Sequence, residues 1–186
     1  MIAKHLSLNP LIAACQYKQL EQAIQSKASM VLLLNGGLND LIKPQFQTYT
    51  QTKPILIHTD LLKGLSSDRE SIRFLKDFIK PAGIVSTKSS TLRAAKKEGF
   101  LTIQRTFLID THSLNMAIDS IKETKPDGVE IMPGIAGSIV EELKSRIDCP
   151  IILAGLLRDR RDIDSAFQAG ADAVSLSNPQ LWNYPT

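Results

Sequence analysis

Residues 150–182 read PIILAGLLRDRRDIDSAFQAGADAVSLSNPQLW. The stretch opens on an unbroken apolar run, Pro150 to Ala154, and passes through a polar loop. It continues with Ile163, Ala166 and Phe167 at the spacing of one helix face, then enters a second apolar run, Ala173 to Leu176. Continuous rather than alternating apolarity predicts strands buried on both faces, as in a parallel sheet covered by helices. Asp159, with Asp162 three residues on, supplies the helix start. Strand, helix and strand in this order make one βαβ unit.

The same unit recurs along the rest of the chain. Six further runs precede these two: Leu11 to Cys15, Met30 to Leu34, Pro54 to His58, Gly83 to Ser86, Thr102 to Gln104 and Gly128 to Ile131. Helical stripes lie between them, such as Ile72, Leu75 and Phe78, or Ala117, Ile118 and Ile121. Ser67 and Thr111 are placed to start the stretches Asp68 to Ile79 and Ser113 to Lys122. Eight units in 186 residues predict an α/β fold: a compact TIM-like (β/α) barrel of seven to eight strands, smaller than the roughly 250 residues usual for that architecture. A doubly wound open sheet is the alternative, but no GxGxxG follows the first run. After the last run only Ser177 to Thr186 remain, with Pro179 and Pro185, so the eighth helix should be one turn or missing. The flank it leaves calls for a homodimer or for a cap by Trp182 and Tyr184.

The bulk composition fits one domain over residues 1–186, with 43% hydrophobic and 22% charged residues. No apolar run approaches the roughly 20 residues that span a bilayer, so no membrane partner is expected. The opening MIAKHLSLNP lacks a sustained apolar stretch, and Cys15 and Cys149 have no CxxC spacing, which points to a reducing cytoplasm. A net charge of +3 permits contact with a polyanion without requiring it.

In a (β/α) barrel the loops after the strands form the site, so the polar residues that follow each run are the candidates. Such barrels commonly hold phosphate with the loops after strands 7 and 8. Here those loops offer Gly155, whose lack of Cβ admits an anion to the backbone, and the donors Ser177 and Asn178. The alternative is that Gly155 relieves crowding while Ser177 and Asn178 cap a turn. Arg105 is expected after the fifth strand, either gripping phosphate with its planar fork or pairing with Asp60, Asp110 or Glu130. Lys88 is a second candidate cation. Asp60 and Glu130 are the carboxylates at strand ends, able to accept from ligand hydroxyls or to act as acid or base. His58 reads first as a packed strand-end residue. No nucleophile elbow, P-loop or metal-ligand spacing occurs, so no catalytic, metal or cofactor site is assigned.

The motifs HTDLLKG, GIVSTKS, IQRTFLID, VEIMPGI and SLSNPQLW, taken in order, resemble the glycerol uptake operon antiterminator regulatory proteins over about Leu11 to Trp182. The resemblance implies a cytoplasmic barrel-type regulator, not an enzyme. It would sense glycerol 3-phosphate or a similar phosphorylated metabolite and bind the leader mRNA of glycerol-utilisation genes. The family motifs fall on Asp60 and Gly64; on Ser86, Thr87 and Lys88, where arginine is commoner; on Gln104, Arg105 and Asp110; on Glu130, Pro133 and Gly134; and on Ser177, Asn178 and Trp182. Two positions depart: Ala154 stands where the family has the first of two glycines, and Gln16 where a basic residue is common. A methyl at position 154 would restrict left-handed backbone or the approach of an anion.

Basic residues at Arg93, Lys96 and Lys97, and at Arg158, Arg160 and Arg161, are candidates for RNA phosphate contacts or a solvated helix face. The second functional reading is a small phosphate-binding barrel enzyme acting on a phosphorylated triose or sugar, with Asp60 or Glu130 as acid or base and Lys88 as electrophile.

Overall fold

The computed structural model describes residues 2–66 and 68–185. Eight parallel strands form its core: β1 (Leu11–Gln16), β2 (Met30–Gly37), β3 (Ile55–His58), β4 (Gly83–Ser86), β5 (Leu101–Phe107), β6 (Gly128–Met132), β7 (Ile151–Ala154) and β8 (Ala173–Leu176). Each pairs in parallel with the next, and β1 pairs with both β2 and β8, which closes the sheet into a barrel and excludes an open doubly wound sheet. A two-residue strand, Leu62–Lys63, adds a parallel bridge beside Gly36 and Gly37.

Nine α-helices stand around this barrel within the described residues: α1 (Ile2–Leu6), α2 (Leu20–Gln25), α3 (Leu38–Leu41), α4 (Pro44–Thr52), α5 (Arg69–Phe74), α6 (Ser89–Lys97), α7 (Thr111–Thr124), α8 (Val140–Lys144) and α9 (Arg160–Gln168). Their starts follow local chemistry. Asp159 accepts from the backbone N–H groups of Arg161 and Asp162, as its spacing predicts. The expected cap Ser67 lies outside the described residues, and Asp68 caps α5 by accepting from the Ser71 N–H at 2.8 Å. Thr111 is corrected to the first helical residue of α7. The cap is Asp110, whose carboxylate meets the Ser113 N–H at 2.7 Å and so satisfies an otherwise orphaned donor.

Alternation along the strands divides the apolar residues in two. The outer set, including Val31, Ile57, Ile84, Val129, Ile131, Leu153 and Val174, packs under the helices. The inner set comprises Ile12, Ala14, Met30, Leu32, Leu56, Val85, Ile103, Ile152 and Ala173, joined by Ile2 and Leu6 of α1. Helix α1, which carries too short a pattern to be read from sequence, therefore plugs the N-terminal end of the barrel. The expected loss of the eighth helix is also observed. After β8 the chain makes a single 3₁₀ turn, Pro179–Leu181, and then buries Trp182, whose indole N–H donates to the Leu176 carbonyl at 2.6 Å. The Tyr184 hydroxyl donates to Asp164 of α9 at 2.7 Å. That flank is thus covered within the chain.

Candidate ligand site at the barrel mouth

Because the barrel is closed and all strands run the same way, the tips of β3 to β8 converge on one mouth. Arg105, Gly155 and Ser177, on β5 and after β7 and β8, belong to this single rim. Arg105 needs one correction: β5 extends to Phe107, so the residue lies within the strand, opposite Glu130 of β6. The strand runs on through a charged position because the charge is met. The Arg105 Nε donates to a Glu130 Oε at 2.5 Å, with both side chains buried. Two residues from the apolar Ile103 on the inner face, Arg105 lies in the layer directly above the barrel interior. Among the described residues no hydrogen bond engages its terminal nitrogens. The pairing alternative is realised with Glu130.

Asp60, at the tip of β3, accepts from the Ser86 hydroxyl at 2.7 Å, the Thr87 N–H at 2.8 Å and the Thr87 hydroxyl at 2.9 Å. Partial burial pushes its carboxyl upward. These hydrogen bonds and the neighbouring His58 outweigh that effect and hold it below the ordinary carboxylate value. Both oxygens are therefore occupied in fastening the β4 loop. Lys88 follows that loop, exposed on the rim, with its N–H on the Ser86 hydroxyl as α6 begins. His58 is buried at the end of β3. Desolvation first, then the Arg105 cation, lower its pKa, against the opposing pull of Asp60 and Glu130.

On the far side of the mouth, Gly155 has φ +76°, and a Cβ there would stand 2.7 Å from the Met132 Cε. Leu156 is left-handed as well, at φ +60°. Ala154 is an ordinary strand residue paired with Ser175, so its methyl blocks no left-handed turn, and that part of the expectation is overturned. Gly134 packs edge-on against this loop. Its N–H donates to the Gly155 carbonyl at 2.9 Å, and a Cβ at 134 would come within 3.0–3.1 Å of Ala154 and Gly155 backbone atoms. Gly134 therefore braces the β7 loop from the side. Ser177 is exposed on the rim, and Asn178 caps the final turn by accepting from the Gln180 N–H at 3.1 Å.

Other candidates lie apart from the mouth. Gln104 points outward to α7, donating to Ser120 and accepting from Thr124. Arg93 pairs with Glu123 at 2.8 Å, and the Lys96 Nζ donates to the Lys125 carbonyl. With Lys97 these lie on α6, whereas Arg158, Arg160 and Arg161 gather at the start of α9, three strands further round. Arg161 pairs with Asp159 at 3.1 Å, and Arg160 stacks on the Tyr184 ring. The two basic clusters form no single patch. A groove of about 680 Å³ runs beside α5, but its described lining sets Asp68, Glu70, Asp77 and Glu98 against Arg73, an acidic balance that disfavours an anion. Burial pushes the Cys15 thiol up to about 12 and that of Cys149 to about 11, so neither is a ready nucleophile. No helix among the described residues is long and apolar enough to cross a membrane.

Three known proteins are similar to this chain. Escherichia coli (strain K12) YgcP is 34% identical over 178 residues, covering 95% of this chain and 93% of that protein. The crystal structure of a glycerol uptake operon antiterminator regulatory protein from Listeria monocytogenes str. 4b F2365 superposes with a TM-score of 0.86 at 30% identity, covering 94% and 95% of the two chains. That of a glycerol uptake operon antiterminator-related protein from Thermotoga maritima MSB8 gives 0.77 at 23% identity, covering 94% and 98%, a likeness of fold. The family model for the glycerol-3-phosphate responsive antiterminator matches residues 11–182. The chain belongs to the glycerol-3-phosphate responsive antiterminator family.

Proposed function

We propose that the mouth binds glycerol 3-phosphate as a signal and that the liganded protein binds the leader mRNA of glycerol-utilisation genes in the cytoplasm, preventing premature termination. The observation that carries this reading is the Arg105 guanidinium, buried at the mouth with Glu130 on one nitrogen and, among the described residues, no hydrogen bond on its terminal ones. A site prepared for an anion has this form, because a fork already oriented by a carboxylate loses little freedom when it engages phosphate. The phosphate lies toward the left-handed Gly155 loop and Ser177, where the missing Cβ leaves backbone accessible. Lys88 adds attraction from the opposite rim.

Binding without turnover suits these residues. Asp60 is fixed by three donors, and Lys88 is exposed rather than desolvated as an electrophilic lysine would be. Ligand and RNA are coupled only to the extent that each favours the same arrangement of the rim loops. RNA contact through Arg158, Arg160 and Arg161 is favoured over α6, since this cluster adjoins the β7 loop and would feel its ligand. Calorimetry should give measurable heat with glycerol 3-phosphate and none with glycerol; equal, negligible heats from both would contradict the sensor. Filter binding to the leader RNA over a salt series should tighten with ligand and weaken with salt. Ligand-independent retention at every salt concentration would remove the regulatory part.

A further inference from the structure

One buried polar atom at the mouth stands out among the described residues. His58 is 3% exposed, and its Nδ1 is buried without a hydrogen bond among the described residues. The other such side-chain atom, Thr91 Oγ1, lies on α6 outside the barrel. Buried polar groups are paired almost without exception, so an orphan nitrogen in a binding mouth marks a place where a partner arrives. Two residues from Leu56, His58 points to the inner face, where the charges of Arg105, Asp60 and Glu130 act on it. Burial first, and then the Arg105 cation, lower its pKa and so favour the neutral ring, with one nitrogen a donor and the other an acceptor. Such a ring matches a neutral hydroxyl better than a dianion. Its strand also stands across the barrel from β7, four strands away in the closed order.

We propose that His58 is the specificity-determining residue of the mouth: a ring nitrogen hydrogen-bonds a hydroxyl of the ligand's polyol part while the phosphate lies at the tips of β7 and β8. This rests on the phosphate-sensing reading above. It divides the ligand between two sides of the rim, with Arg105 and Glu130 between them.

The test is calorimetric titration of glycerol 3-phosphate and inorganic phosphate into the wild type, His58→Leu and His58→Asn. Removing one hydrogen bond at a buried site should weaken glycerol 3-phosphate by about tenfold in His58→Leu. Inorganic phosphate, which lacks the polyol, should stay within about twofold of wild type, and His58→Asn, with an amide near the place of Nδ1, should keep glycerol 3-phosphate within about threefold. Equal weakening of both ligands in both variants would reduce His58 to a packing residue and overturn the proposal, as would no weakening of either. If the wild type bound neither ligand, the phosphate-sensing reading itself would fall. That outcome differs from the others, in which the wild type binds.

Discussion

The two ends of the barrel interior are built on opposite terms. The N-terminal end is filled by Ile12, Met30, Leu32, Leu56, Ile152 and the plug residues Ile2 and Leu6, with no charge among them. At the C-terminal end His58 and Asp60 stand two and four residues beyond Leu56, and Arg105 two residues beyond Ile103 with Glu130 beside it on β6. The first end supplies apolar burial that offsets chain entropy. The second carries buried charges that stabilise little on their own and that the proposed function assigns to the ligand. In this fold the division between stability and function therefore runs across the strands.

The two ends should differ most at the ion pair. Glu130→Ala strands a buried guanidinium and should cost about 3–5 kcal/mol in denaturant unfolding. The double replacement Arg105→Met with Glu130→Met should recover most of that stability and yet lose ligand affinity. A double variant that binds normally would remove the pair from the site. At the other end, Leu32→Ala should cost about 3 kcal/mol through the cavity it leaves, with ligand affinity of the folded fraction unchanged. A smaller loss, about 1–2 kcal/mol, is expected for Gly155→Ala, from the left-handed backbone and the Met132 contact, together with weakened phosphate binding. The smallest effect is one of pH. The Asp60 carboxyl is held low in the folded state, so its stabilisation is present above about pH 4 and is lost as pH falls through the folded value. Asp60→Asn should accordingly flatten the acid limb of the stability profile, and an unchanged limb would show that its three donors contribute nothing.

How much of this was legible in the chain follows the same division. The barrel could be read because strands buried on both faces leave continuous apolar runs, and the shortened end could be read from Pro179 and Pro185. The mouth could be listed but not wired. Asp60 is satisfied by Ser86 and Thr87, 26 and 27 residues away, and no local spacing announces such a bond. Arg105 was expected beyond its strand because a charge interrupts an apolar run. The signal that places it inside is the alternation Ile103, Arg105 set against Gly128, Glu130, which puts opposite charges side by side on one face. His58 reads from sequence as any packed strand-end histidine; only the fold shows that no described residue hydrogen-bonds its Nδ1. Helix α1 escaped because five residues are too few for a periodic signal.

Whether the C-terminal mouth holds the anion can be decided by titrating glycerol 3-phosphate into isotopically labelled protein and following backbone amide and arginine side-chain resonances. The largest shifts should fall on Arg105, Gly155, Leu156 and Ser177, with Ile2, Leu6 and the α6 surface unmoved. Shifts confined to α6 or to the α1 end, with the mouth silent, would contradict it.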